Sequence, residues 1–398
     1  MLVLVLNGGS STLKAVMYEL GAAATPLRPP EPAWDARVEW GRQPGIAEIR
    51  IRTGGDIRNK SLPIPSQEAV LRPVLESLPG RPDIAGHRVV HGGKAFRESA
   101  RITQEVKREI GRLVQYAPEH NRLELEAIEA VENILGANLP QVAVFDTAFH
   151  ATLAPAAYTY PGPRSWLDEG LRRYGFHGIS HQYTSRRAAE ILGRPVESLR
   201  MITCHLGNGA SLAAVAGGRS VDTTMGFTPL AGLMMGTRSG SVDPGIVIHL
   251  VRNCGYRADE LDRILNKQSG LRGLSQISGD MRDVLTAMSA GNEDALLAFD
   301  VYVHRLAQEI GSMLATLGGL DALVFTAGIG ENTPLLRTRV AARFAFLGLK
   351  LDESVNQQSP ADTEISAPDS AVRVVVVHTE EDWEIARECH RLNAQGLL

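Results

Sequence analysis

The stretch Leu2-Val3-Leu4-Val5-Leu6-Asn7-Gly8-Gly9-Ser10-Ser11-Thr12-Leu13-Lys14-Ala15-Val16 decides the fold, because its pattern returns in the second half of the chain. There Met201-Ile202-Thr203-Cys204-His205 enters Leu206-Gly207-Asn208-Gly209 and continues as Ala210-Ser211-Leu212-Ala213-Ala214-Val215. In each case an apolar run, a glycine-rich turn and a second alternating run spell a β-hairpin. Ser-Thr-Leu-Lys-Ala-Val and Ala-Ser-Leu-Ala-Ala-Val keep the same alternation behind the same kind of turn, which is the mark of a duplication. Such turns present backbone N–H groups and short hydroxyls, a place for phosphate oxygens. Two of them facing each other would put phosphate-binding turns on both walls of a cleft, so the chain reads as a nucleotide binder with two lobes.

Composition is consistent with that reading and removes others. A length of 398 residues exceeds one ordinary core and predicts two domains. With 44% hydrophobic and 22% charged residues the chain is globular rather than disordered. A net charge of −4 argues against nucleic acid as a partner, so anionic ligands must be met locally. Leu2 to Leu6 run straight into Asn7-Gly8 without a basic leader, and no run reaches the roughly 18 apolar residues of a membrane span. Cys204, Cys254 and Cys389 lack C-x-x-C spacing, which points to the cytoplasm.

Periodicity orders the rest. Residues 21–66 read as short, twisted edge strands between loops, for example Val38-Glu39-Trp40 and Ile49-Arg50-Ile51. Val89 to Gly93 form a strand running into a turn. Val106, Ile110, Leu113 and Val114, then Leu125, Ile128, Val131 and Leu135, recur at helical spacing before a buried strand at 141–145. A turn cluster at Ala154-Pro155 and Pro161-Gly162-Pro163 separates a first domain, 1–150, from a second, 151–381. In the second, Ser180 is expected to cap a helix carrying Ile179, Tyr183 and Ile191. A Gly-, Met- and Thr-rich loop spans 223–245, long enough to be functional. A long helix over 297–317 feeds a strand at 322–326, then a turn over 327–332. A strand over 372–377 precedes the last amphipathic helix.

Several residues have chemistry in excess of packing needs. G-x-x-x-x-G-K-[ST] is absent, and Gly328-Ile329-Gly330-Glu331-Asn332 lacks the third glycine of a dinucleotide fingerprint, so neither a Walker loop nor a Rossmann dehydrogenase fits. Arg88 and Arg238 sit among glycines and small residues, where a guanidinium fork suits carboxylate or phosphate. Asp146 and Glu381 follow strands, where α/β sheets place metal and catalytic groups. His87, His91, His120, His150, His177, His181 and His205 all lie near glycine or strand ends. His177 and His181 are spaced i, i+4 but lack the glutamate of a zinc helix, so an oxygen-bound divalent ion riding on phosphate, magnesium or manganese, is the expected metal.

Taken together, residues 7–14, 87–93, 145–150, 174–181, 205–209, 227–240 and 328–332 resemble the acetokinase family, the acetate kinases of the acetate and sugar kinase, actin and heat-shock chaperone superfamily. The resemblance covers nearly the whole chain. It implies an α/β fold of duplicated actin-like (ribonuclease-H-like) domains with the nucleotide between lobes, a homodimer, and a C-terminal helix, 382–398, packing back on the first domain. It implies reversible phosphorylation of acetate by ATP, with Asn7 and Glu381 on the metal ion and Lys14 on nucleotide phosphate. Arg88 would take the substrate carboxylate, and Val90, Phe176 and Pro229 would line its alkyl end. Arg238 and His177 would stabilise the transferring phosphoryl group, with Asp146 in the family's catalytic position. His205, Leu206, Gly207, Asn208 and Gly209 would track phosphates; Asp280, Met281, Arg282, Gly328, Ile329, Gly330, Glu331 and Asn332 would hold the nucleoside. A carboxylate nucleophile is already ionised at neutral pH, so Asp146 is expected to orient Arg88 or a metal-bound water rather than act as a base.

Two positions and one segment depart from the family pattern. Glu119, beside Arg122, stands where the family has a leucine near the substrate's alkyl end, leaving acetate, propionate and butyrate open. Ala327 replaces a glycine, and residues 21–66 match poorly. A non-catalytic, actin-like nucleotide switch is the alternative of another class, but Arg88, Arg238 and His177 speak against it. A sugar kinase would want an aspartate base and polar lining for several hydroxyls.

Overall fold

The computed structural model describes the chain apart from residues 10, 11, 22–24, 44, 65, 118 and 119 and the side chains of 41–43. The chain divides into two compact units: residues 1–151, 178–180 and 380–398 form the first, and 152–177 with 181–379 the second.

The first unit holds an eight-stranded sheet of β1 (Leu2–Gly8), β2 (Thr12–Glu19), β3 (Trp34–Gln43), β4 (Ile46–Thr53), β5 (Asp56–Pro63), β6 (Ile84–Val89), β7 (Ala100–Arg101) and β8 (Gln141–Phe145). Its order is β5-β4-β3-β2-β1-β6-β8-β7. The β1 and β2 strands are antiparallel with Asn7 opposite Lys14, and β1, β6 and β8 run parallel. Val3 to Leu6 are apolar on both faces because both faces are covered. One face packs with Val70, Val74 and Val131 of the helices Gln67–Leu75 and Asn121–Leu135. The other receives the C-terminal helix Glu381–Ala394. Its Trp383 lies edge-on to Tyr18, 5.1 Å between ring centroids, and donates to the carbonyl of Leu27 at 3.0 Å. This helix lies so close to β6 that a Cβ on Gly86 would come 2.5 Å from Cys389 Sγ.

The second unit holds β9 (Arg200–Leu206), β10 (Ala210–Ala216), β11 (Arg219–Thr223), β12 (Ala322–Thr326), β13 (Thr363–Glu364) and β14 (Arg373–Val376), in the order β11-β10-β9-β12-β14-β13. Five strands repeat the first unit in order and sense: antiparallel β11-β10-β9 followed by parallel β9-β12-β14 matches β3-β2-β1 followed by β1-β6-β8. The duplication expected from the two hairpins is therefore carried by whole sheets. The helix Glu293–Leu317, capped by Asn292 Oδ1 on Ala295 N at 2.8 Å, packs on β10 and β9.

Several local expectations are corrected. Residues 34–63 form long antiparallel strands rather than short pieces; their charged, exposed faces on β5 hide the alternation. The helix Gln67–Leu75 gave no signal because Pro73 lies inside it. Ser180 does not cap: the helix runs Gly178–Ile191, His177 takes the cap position at φ 56°, and Ser180 is buried in its first turn. The expected turn at 327–332 is a short helix, Ala327–Asn332. The helices Pro244–Cys254, Ala258–Lys267, Gly270–Ser275 and Met281–Ser289 follow the glycine-rich loop. Among the described residues no helix is long and apolar enough to cross a membrane.

Candidate active site

In the first unit the residues of the site meet where β1, β6 and β8 end. Parallel strands bring Arg88 of β6 beside Val144 of β8, and the chain then turns so that Asp146 follows one residue beyond the strand. Arg88 Nη2 lies 2.6 Å from Asp146 Oδ2, its Nε donates to both Asp146 oxygens at 3.2 Å, and its Nη1 donates to Gly8 O at 3.1 Å. The Asp146 side chain is 1% exposed and that of Arg88 14%. Burial opposes the arginine's charge, but Asp146 and Glu381 outweigh it and hold the guanidinium protonated well above its ordinary range. Among the described residues three of its five N–H groups are engaged, by Asp146 and Gly8 O.

Around this pair stands a set of oxygen donors. Asn7 Nδ2 donates to Asp382 Oδ1 at 2.6 Å and to Glu381 Oε2 at 3.4 Å, so the amide oxygen is the atom turned from the carboxylates. Lys14 Nζ lies 4.0 Å from Asp382 Oδ2. Burial raises the Asp382 carboxyl, partly offset by Lys14 and Asn7. Among the described residues no three His, Cys, Asp or Glu side chains gather as a metal site, but the hard oxygens of Asn7, Glu381 and Asp382 are of the kind magnesium takes alongside phosphate and water. Sequence reasoning missed Asp382, whose signal was its place beside Glu381 after a strand.

It also missed the clamp on the chain after Arg88. Asn121 Oδ1 accepts from His91 N at 3.1 Å, Asn121 Nδ2 donates to His91 O at 3.0 Å, and Glu124 accepts from Val90 N at 3.0 and 3.2 Å. Asn121 and Glu124, three apart on one helix face, thereby fix residues 90 and 91. Burial is the main reason the Glu124 carboxyl rises to about 8, against the pull of Arg88 and Val90 N–H. Buried His87 is pushed down to about 4 and bonds Gln141 Oε1 at 2.7 Å. The residue that would decide the acyl chain, Glu119, lies outside the described residues.

In the second unit the turn at 207–209 gathers the remaining residues. His177 and His205 stack at 4.2 Å between centroids. A Cβ built on Gly209 would lie 3.4 Å from His177 Nε2 and 3.5 Å from Arg238 Nη1, so the imidazole and the guanidinium converge over this glycine. Arg238 Nη1 also donates to Pro229 O at 3.3 Å. Phe176 is buried, as is Leu206. Asn208 reaches Gly236, whose N–H donates to Asn208 O at 3.0 Å, and Gly236 in turn abuts Gly279. Asp280 caps the helix Met281–Ser289 by accepting from Arg282 N at 2.9 Å and pairs with Arg282 Nη2 at 2.5 Å, which holds its carboxyl below the usual range.

The short helix of Gly328, Ile329, Gly330, Glu331 and Asn332 stands against the end of β9: a Cβ on Gly330 would lie 3.6 Å from Cys204 O and from Leu206 Cβ. Glu331 is spent on its own side, accepting from Thr379 N at 3.1 Å and lying 2.7 Å from His378 Nδ1, contacts that hold its carboxyl down despite burial. Arg337, fully buried, donates to Gly330 O and Glu331 O at 2.8 Å and to Asn356 Oδ1 at 2.8 Å. His177 Nδ1 and His181 Nε2 both engage Ser211 Oγ, at 2.9 and 2.8 Å.

The family model of the acetokinase family matches residues 2–387. A protein of Trichormus variabilis named acetate kinase is 55% identical over 405 aligned positions, covering 99% of this chain and all of that one. Among solved structures, Porphyromonas gingivalis acetate kinase superposes with a TM-score of 0.87 at 37% identity, covering 100% of this chain and 99% of its own. A propionate kinase from Francisella tularensis superposes with a TM-score of 0.87 at 36% identity, covering 97% and 98%.

Proposed function

The chain belongs to the acetokinase family, and we propose that it transfers the γ-phosphoryl group of ATP reversibly to acetate. The observation that carries this reading is Arg88, a nearly buried guanidinium anchored by Asp146 and Gly8 O with two N–H groups not engaged by the described residues, in a chain that matches the family along almost its whole length. An anchored fork with spare donors suits a small carboxylate bound end-on.

In the reaction an acetate oxygen forms a bond to Pγ while the bond from Pγ to the β-bridging oxygen breaks, giving acetyl phosphate and ADP. The nucleophile needs no base. Asp146, already committed to Arg88, orients the guanidinium, and Arg88 holds the carboxylate, with Val90 of the same unit beside its alkyl end. Arg238 and His177 neutralise the charge that spreads over the equatorial oxygens. The N–H groups of the 205–209 turn and Lys14 position phosphates, and residues 280–282 and 328–332 hold the nucleoside. Magnesium, carried by Asn7 and Glu381, would supply charge neutralisation on the nucleotide phosphates.

The test is hydroxylamine trapping of acyl phosphate from ATP with acetate, propionate and butyrate, using wild type, Arg88→Ala and Glu119→Leu. Acyl hydroxamate from wild type and its loss by on the order of 10³ in Arg88→Ala support the reading; ATP hydrolysis indifferent to carboxylate overturns it. Propionate stands second because a propionate kinase superposes as well as an acetate kinase. We further propose a homodimer, supported by exposed Ile246, Ile248 and Val251 on the helix Pro244–Cys254, none of whose residues is buried. Cytoplasmic action fits three free thiols, Cys204, Cys254 and Cys389.

A further inference from the structure

The hydrogen bonds behind His177 form a buried chain with a direction. On the β9–β10 hairpin Thr203 pairs with Ala213 and His205 with Ser211, so the four side chains share one face. Thr203 Oγ1 donates to Ala213 O at 3.5 Å, and a carbonyl can only accept. A hydroxyl has one proton; directed at Ala213 O, it leaves Thr203 to accept from His181 Nδ1, 2.7 Å away. In that polarity a neutral His181 carries its proton on Nδ1, and its Nε2 lone pair accepts from Ser211 Oγ at 2.8 Å. With that proton placed, Ser211 Oγ accepts from His177 Nδ1 at 2.9 Å. Thr203, His181 and Ser211 are all fully buried, so water does not break the chain.

We propose that Thr203, His181 and Ser211 are positioning residues that hold His177 as its Nδ1–H tautomer, so that Nε2 is the nitrogen presented beside Gly209 and Arg238. Protonation there makes His177 a donor aimed at the same place as the Arg238 guanidinium. That last step rests on the proposed phosphoryl transfer; the tautomer does not. The opposite polarity, with Ser211 donating to His177, would leave Nε2–H permanently in place and make His177 a fixed donor.

Long-range ¹H–¹⁵N correlation of the imidazoles tests this directly, with His177→Gln supplying the assignment. In wild type the neutral His177 should show a protonated Nδ1 and an unprotonated Nε2. Ser211→Ala and the near-isosteric Thr203→Val should shift it toward Nε2–H and lower kcat on the order of 10- to 100-fold, as loss of a group orienting a functional histidine does. Thr203→Ser, which keeps the hydroxyl, should restore both. A wild-type His177 that is Nε2–H when neutral, or a tautomer unmoved by both variants, overturns the proposal. The spectra do not depend on turnover, so a protein that makes no acyl phosphate yet shows the Nδ1–H form would sink the kinase reading and leave the relay standing.

Discussion

Glu124→Gln isolates the cost of a buried carboxyl next to the substrate arginine. Glu124 is 5% exposed, accepts from Val90 N, and sits in the field of both Arg88 and Asp146. In the unfolded chain it titrates near 4.5; in the folded protein burial raises it to about 8. Its folded value lies above its unfolded one, so the native state keeps a proton the unfolded chain gives up. The stabilisation is therefore fully present below 4.5 and is lost as pH rises toward 8. At about 1.4 kcal/mol for each tenfold change in the equilibrium, the full rise corresponds to on the order of 5 kcal/mol. Glutamine keeps an oxygen for Val90 N–H and has no charge to bury. Urea unfolding of both proteins should give similar stabilities at about pH 5, and a variant more stable than wild type by roughly 2 to 5 kcal/mol at about pH 8.5. His87, buried neutral and titrating near 4, is common to both proteins and cancels in the comparison. A stability difference that stays flat across that range refutes the reasoning.

Other perturbations follow from the same geometry. Asp146→Ala strands the buried Arg88 guanidinium and should cost about 3–5 kcal/mol in unfolding free energy; the milder Asp146→Asn should raise the KM for acetate while leaving that for ATP unchanged, which steady-state kinetics will read. Ala327 holds φ at +64°, a region that disfavours side chains, so Ala327→Gly should stabilise by about 1 kcal/mol in calorimetry; an unchanged or lowered melting temperature would contradict this. Cys254 is exposed while burial pushes the Cys204 and Cys389 thiols up, so a maleimide should add once to the native protein, at Cys254 by peptide mapping, and three times after unfolding.

Much of the fold is written in local pattern. The two hairpins, the strand Gln141–Phe145 and the helices Asn121–Leu135 and Glu293–Leu317 announce themselves because alternation of period 2 and stripes of period 3.6 are written in consecutive residues. Residues 34–63 hide their strands because β5 is exposed along almost its whole length, so no alternation of buried and exposed positions marks it. The cap at His177 was invisible for a different reason: its left-handed backbone breaks the rule that a serine or threonine begins a helix. Pro73 and the helices between 244 and 289 likewise set local composition against the final fold.

The sequence by itself determined the duplication, the two glycine turns and the kinds of charged group available, since each depends on residues adjacent in the chain. Only the tertiary structure decided which partner each group serves: Asp146 for Arg88 across 58 residues, Glu124 for Val90 across 34, Asp382 for Asn7 across 375, and Ser211 for His177 across 34. The physical reason is that a buried charge or imidazole is governed by whatever polar atom lies within about 3 Å. That distance is set by strand register and helix docking, not by order along the chain.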